Sequence, residues 1–222
     1  MKYISTRGIA PELDFDDVLI TGLARDGGLY VPKEWPKFNK NEIESMRELS
    51  YADLSIQVMK PFIGNSISSD DFDTLVRDTY EKFGHPAVAP LKQLKDNLWL
   101  LELFHGPTLA FKDYAMQILG GLFDEALQRR KKRTTIVGAT SGDTGSAAIE
   151  ACRNRGAIDI FILFPKGRVS NIQQRQMTTV DALNVHAIAL EGTFDDCQDM
   201  VKSLFNDLEY RDKHNLSAVN SI

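Results

Sequence analysis

Two short stretches of this chain carry side chains able to do chemistry. The first is Leu103-Phe104-His105-Gly106-Pro107-Thr108-Leu109-Ala110-Phe111-Lys112-Asp113, which sets one amine, Lys112, between an apolar run and an amphipathic one. About 25 residues later comes Gly138-Ala139-Thr140-Ser141-Gly142-Asp143-Thr144-Gly145, a small-residue turn ahead of a second helical pattern. Apolar walls lower a lysine pKa, and the neutral amine forms Schiff bases with carbonyl compounds. A helix start disfavours a stray cation, which sets Lys112 apart from an ordinary surface lysine. Glycines let a backbone approach a ligand closely, and the N–H groups at a helix start bind anions. The hydroxyls of Ser141 and Thr144 add donors to that turn. An amine beside an anion-binding turn points to pyridoxal-phosphate chemistry on an amino acid.

Other polar clusters need weighing against these two. Pro165-Lys166-Gly167-Arg168-Val169-Ser170 follows an apolar run and offers two cations and a hydroxyl that a phosphorylated substrate can use. A solvated loop is the competing reading. Arg129-Arg130-Lys131-Lys132-Arg133 lies where a helical pattern ends, a place the helix dipole favours for cations. With a net charge of −5, the chain gives that run no wider support as a nucleic-acid or anionic-membrane surface. His105 is a candidate base or cofactor contact, whereas His186 falls on an apolar run and reads as structural. The glycine spacing fits neither a dinucleotide fingerprint nor a Walker A loop. No spacing resembles a metal site or a Ser-His-Asp triad. Cys152 and Cys197, both in helical patterns, read as reduced cytosolic thiols rather than a disulfide, so the expected location is the cytoplasm.

The elements that must position these groups follow from periodicity. After about residue 97, apolar runs alternate with amphipathic ones. Strands are expected at Leu98–Phe104, 134–137, 158–164 and 183–190, with helices over about 114–127, 144–155, 170–179 and 195–208. Near-continuous apolar strands alternating with helices predict an α/β fold around a parallel sheet covered on both faces. Residues 1–95 lack this alternation and read as a mostly helical domain, with Ser50 capping one helix and Phe72, Val76, Tyr80 and Phe83 on one face of another. The expected division is therefore 1–95 and 96–222. An apolar fraction of 43% is ample for a packed core, and the longest apolar run, 160–164, is far too short to cross a bilayer. The alternation breaks off near Ser217, so the sheet is expected to be incomplete.

Taken in order, Ser5-Thr6-Arg7-Gly8, Asp26-Gly27-Gly28-Leu29-Tyr30-Val31-Pro32, the Phe104 to Asp113 stretch, Gly138 to Gly145 and Ala218-Val219-Asn220-Ser221-Ile222 closely resemble the threonine synthase family, in its microbial and fungal type. The resemblance implies a pyridoxal-phosphate fold-type II architecture, tryptophan synthase β-like, behind a family-specific N-terminal domain. It implies pyridoxal 5'-phosphate as cofactor and O-phospho-L-homoserine as substrate, converted with water to L-threonine and phosphate. By motif match Lys112 is the cofactor lysine, and Ser141, Gly142, Asp143 and Thr144 meet the substrate carboxylate. Asn220 and Ser221 match a segment near the cofactor, and Lys166 or Arg168 is expected to neutralise the leaving phosphate. The family's cofactor-phosphate loop and its partner for the pyridine nitrogen fall beyond Ile222. The resemblance therefore implies that the chain holds roughly the first half of the enzyme. Two other readings stay open: a phospho-lyase releasing a keto acid, and a cofactor-free binding protein on the same fold.

Overall fold

The computed structural model describes residues 1–218. Contacts divide the chain into two units, Met1–Glu102 and a second from Leu103 onward.

The first unit opens with strand β1 (Lys2–Ser5), β2 (Leu13–Asp14), helix α1 (Phe15–Thr21) and β3 (Tyr30–Pro32), and β1 pairs antiparallel with both other strands. Helices α2 (Lys40–Ser45), α3 (Tyr51–Ile63) and α4 (Ser69–Tyr80) follow. Ser50 accepts from the Asp53 N–H at 3.1 Å and Ser68 from the Asp71 N–H at 3.2 Å, so each long helix starts on a hydroxyl cap. Phe72, Val76 and Tyr80 recur every four residues along α4 and are buried, as are Ile56 and Ile63 of α3. Full burial of a side chain such as Phe72 or Val76 stabilises the fold by about 1.5–3 kcal/mol.

The unit closes with an antiparallel hairpin, β4 (Leu91–Lys95) and β5 (Leu98–Leu101). This corrects the expectation that Leu98–Phe104 is the first strand of the parallel sheet. Lys95 pairs with Leu98 across Asp96-Asn97, a two-residue loop of the kind that turns hairpins. Both strands are exposed along their whole length, so the apolar run from Leu98 marks no sheet interior.

The second unit runs α5 (Asp113–Arg129), β6 (Thr134–Ala139), α6 (Asp143–Cys152), β7 (Ile158–Pro165), α7 (Asn171–Thr178), β8 (Val185–Leu190), α8 (Phe194–Asn206), α9 (Leu208–Lys213) and β9 (Leu216–Ser217). The four strands form one parallel sheet in the order β8-β7-β6-β9. Ile136, Ile160 and Ile162 are buried on one side of the ladder, where Met116 and Phe123 of α5 and Ala151 and Cys152 of α6 meet Ile136. On the other side Val137 and Leu163 pack with Cys197, Val201 and Leu204 of α8. The helices α5 and α6 lie unusually close. A Cβ on Gly120 would come within 2.5 Å of the Ala151 carbonyl oxygen. The expected α/β sandwich is thus present, with one local correction. His186 is exposed and stacks on Phe161 at 4.3 Å, because β8 is the edge strand rather than an interior one. Among the described residues no helix is long and apolar enough to cross a membrane, and no group of His, Cys, Asp or Glu could hold a metal ion.

Candidate active site

Lys112 sits at the N-cap of α5 in helical conformation, half-buried, with Nζ 4.7 Å from the centroid of the Phe111 ring. An ammonium over a ring face is attracted by the ring quadrupole, so Phe111 gives the amine an apolar wall and a preferred direction. His105 is half-buried and rests against Phe104 at 4.7 Å.

What holds Lys112 in place is the residue after it. Asp113 is 0% exposed, and its carboxylate accepts from the Thr108 N–H at 2.8 Å, the Thr108 hydroxyl at 2.9 Å and the Gln117 amide at 2.9 Å. A buried carboxylate requires such donors, because an unpaired one would lose its hydration without return. The two bonds from Thr108 fold the Gly106–Leu109 turn down on the start of α5, and the Gln117 bond steadies the carboxylate from within the helix. Gly106 must lack a side chain there, since a Cβ would lie 2.5 Å from Asp113 Oδ2 and 2.7 Å from Cγ. Leu109 takes a positive φ of 62° to complete the turn, with its N–H donating to the Gly106 carbonyl at 3.0 Å.

The second stretch is organised by Thr140, a residue that sequence reasoning passed over. Thr140 is buried, and its Oγ1 accepts from the Gly142 N–H at 3.0 Å and the Gly145 N–H at 2.8 Å. No side chain caps α6 at Gly142, which holds φ 147° and ψ −81°. The N–H groups of Ser141, Asp143 and Thr144 are left without an acceptor among the described residues. Ser141 and Asp143 are exposed and Thr144 half-buried. Three free donors at a helix start on the carboxyl edge of a parallel sheet make a place for an anion. The signal for Thr140 was present in the chain, as a hydroxyl two residues ahead of a glycine in a Thr-Ser-Gly turn.

The two stretches meet through α7, which starts beyond the carboxyl end of β7. Gln176 donates its side-chain amide to the Thr108 carbonyl at 2.9 Å, and Gln173 donates to the Asp143 carboxylate. Neither glutamine belongs to a recognisable motif. The loop from β7 into α7 carries the two expected cations, and the structure gives both acidic neighbours. Lys166 bonds Glu191 at 2.6 Å, with both side chains mostly exposed. The Asp196 carboxyl is held below its usual range, first by the bonds it accepts from Thr193, with a smaller contribution from the nearby charge of Arg168. Asn220 and Ser221 lie outside the described residues.

Known proteins resemble this chain along its whole length. The family described as "Threonine synthase N terminus" matches residues 2–80, and that described as "Pyridoxal-phosphate dependent enzyme" matches residues 85–221. A threonine synthase of Pseudomonas aeruginosa is 57% identical over 222 residues, all of this chain and 47% of that protein. One from Schizosaccharomyces pombe is 48% identical, covering 100% of this chain and 45% of its own length. Among solved structures, a PLP-bound threonine synthase from Brucella melitensis superposes with a TM-score of 0.96 at 58% identity, over 100% of this chain and 48% of that one. The yeast threonine synthase gives 0.93 at 45% identity, over 100% of this chain and 46% of its own. The chain spans about half the length of the curated relatives it matches. It belongs to the pyridoxal-phosphate dependent enzyme family, with a threonine synthase N terminus ahead of the family's α/β unit.

Proposed function

We propose that this chain contributes the lysine side of the active site of a threonine synthase, which converts O-phospho-L-homoserine and water to L-threonine and phosphate. The observation that carries the reading is the placement of half-buried Lys112 and of a turn with three N–H groups that lack an acceptor among the described residues, on one edge of the sheet and joined by α7. The residues fit the family's cofactor. Asp113 turns its carboxylate inward to Thr108 and Gln117, while Lys112 keeps its amine at the helix start against Phe111. When bound there, pyridoxal phosphate would supply an electron sink that makes the proton on the substrate's amine-bearing carbon labile, and then those on the next carbon.

This chain's own residues would do the rest. Lys112 would hold the cofactor aldehyde and, once displaced by the substrate amine, move protons at Cα and Cβ as a positioned base and acid. The N–H groups of Ser141, Asp143 and Thr144, with the Ser141 and Thr144 hydroxyls, would bind the substrate α-carboxylate, and Gly142 would let it approach the backbone. Lys166 and Arg168 would meet the departing phosphate from the β7–α7 loop, Lys166 on leaving Glu191. We place the protein in the cytoplasm, a compartment that suits two buried, unpaired thiols, Cys152 and Cys197. The test uses a protein of the relatives' full length carrying residues 1–222, supplied with pyridoxal phosphate and O-phospho-L-homoserine. Threonine and phosphate in equal amounts are expected. A keto acid in place of threonine would make the protein a phospho-lyase, and no turnover with no cofactor absorbance would make it a binding protein.

A further inference from the structure

Gln173 and Gln176 lie three residues apart on α7 and reach in two directions. The acceptors fix how both amides point. Gln176 meets a carbonyl oxygen, that of Thr108, so its NH₂ must face it at 2.9 Å. Gln173 meets the Asp143 carboxylate, so its NH₂ faces Asp143 and its Oε1 is left to accept from the Ser170 hydroxyl at 2.8 Å. Ser170 in turn caps α7 by accepting from the Gln173 N–H at 3.3 Å. The seat for Gln173 is built into the opposite turn, because a Cβ on Gly142 would stand 2.5 Å from Gln173 Cδ and 2.8 Å from Nε2. Gly142 therefore meets two separate requirements, a backbone at φ 147° and a glutamine pressed against its α-carbon.

These bonds close a circuit. From Gln176 it passes to Thr108, from Thr108 to Asp113, and from Asp113 to Gln117. The Gln117 amide also donates to the Ala147 carbonyl of α6 at 3.3 Å, and α6 leads back through Asp143 to Gln173. Three helix starts, those of α5, α6 and α7, are thereby held in one polar ring.

We infer that Gln173 and Gln176 are positioning residues: they fix the separation between the Lys112 amine and the carboxylate-binding N–H groups of the 141–144 turn. The inference rests on the proposed function for what the two turns bind, but the strap itself can be tested without it. Gln176 grips the turn that presents Lys112 and, among the described residues, makes no side-chain hydrogen bond to the 141–144 turn. Gln173 does the reverse. Loss of each should therefore leave a different mark.

The experiment uses the full-length protein described above, with Gln176→Met and Gln173→Met, which keep length and volume but lose the amide. Amide hydrogen exchange is followed in the cofactor-free protein, and steady-state kinetics in the loaded one. Gln176→Met should speed exchange across 104–113 by about 3- to 10-fold, leave 140–147 within about twofold, and lower kcat more than it raises KM. Gln173→Met should speed exchange across 140–147 and raise KM by about tenfold with kcat little changed. Gln173→Glu sets a carboxylate against Asp143 and should exceed Gln173→Met in its effect on exchange, and combining it with Asp143→Asn should restore protection. Should Gln176→Met fail to fold, Gln176→Asn keeps the amide but shortens its reach and should show the same pattern. Unchanged exchange in both variants overturns the strap. Faster exchange spread equally over both turns, or faster exchange without the split between kcat and KM, overturns the positioning role. Should no cofactor attach at Lys112, the functional reading fails while the exchange results still judge the strap.

Discussion

The tightest constraint near Lys112 is Gly106, and replacing it by alanine gives a prediction that can be worked from distances. The new Cβ would stand 2.5 Å from Asp113 Oδ2 and 2.7 Å from Cγ, where ordinary contact begins at 3.4 Å, so the turn and the start of α5 must part by about 1 Å. Asp113 cannot swing aside, because it is 0% exposed and held by Thr108 and Gln117. The turn must lift instead, stretching both bonds from Thr108 to a buried carboxylate. Overpacking of this kind costs about 1–3 kcal/mol, and a hydrogen bond to a charged group is worth about 1.5–3 kcal/mol. With partial relaxation, Gly106→Ala should destabilise the protein by about 2–4 kcal/mol, read as a lowered urea midpoint. Displacing the amine by about 1 Å should also slow turnover by roughly 100-fold. Gly156→Ala is the control, since a Cβ there meets nothing within 4 Å, and it should change stability by no more than about 0.5 kcal/mol. If Gly106→Ala unfolds at the same urea concentration as Gly156→Ala, the account of how Asp113 fixes the Lys112 turn is wrong.

Thr144→Val removes one hydroxyl while nearly keeping shape, and should weaken substrate binding by about 1.5–3 kcal/mol, seen as a higher KM; unchanged initial rates at low substrate would remove Thr144 from the carboxylate site. Lys166→Met breaks an exposed pair with Glu191 and should shift stability by less than about 1 kcal/mol. Inhibition by inorganic phosphate should weaken in that variant, and undiminished inhibition would withdraw Lys166 from the phosphate path. In the first unit, withdrawal from water pushes the Asp26 carboxyl up. The N–H groups of Gly28, Ala10 and Ile9 and the Ser5 hydroxyl outweigh this and hold it at about 2. A depressed carboxyl stabilises the fold above its unfolded value of about 3.9, and that stabilisation is lost as pH falls through about 2. Asp26→Asn should flatten the acid limb of the stability curve between about pH 4 and pH 2, and an unchanged limb would show that this turn does not titrate with folding. Burial pushes the Cys152 thiol up to about 12, so it should resist thiol reagents at pH 8 until the protein unfolds.

Much of the second unit was legible in the chain because its signals are local. Ile158 to Pro165 is nearly all apolar and is an interior strand, and Ser170 stands where a helix cap belongs. Leu98–Leu101 shows where that reasoning fails. The run is as apolar as an interior strand, yet it forms an exposed hairpin, and composition alone does not distinguish the two. His186 misled for a related reason, since the position of β8 at the sheet edge depends on strand order rather than on its own residues. At the site, Lys112 and the 141–144 turn could be found because an amine at a helix start and a glycine-rich anion turn carry their chemistry in a few consecutive residues. Asp113 reads in sequence as an ordinary first-turn acid, and only the fold reveals it buried under Gly106 and Thr108. Gln173 and Gln176 reach partners 30 and 68 residues away, a separation at which one sequence by itself shows no pattern.

The assignment of Lys112, at the start of α5, as the amine that holds the cofactor is open to direct test. It is tested by loading the full-length protein with pyridoxal phosphate, reducing it with borohydride, digesting it and mapping the pyridoxyl group by mass spectrometry. A single label on Lys112 is expected, with Lys112→Ala losing both the label and the cofactor absorbance while staying folded. A label on Lys166 or any other lysine, or an undiminished label in Lys112→Ala, would contradict it.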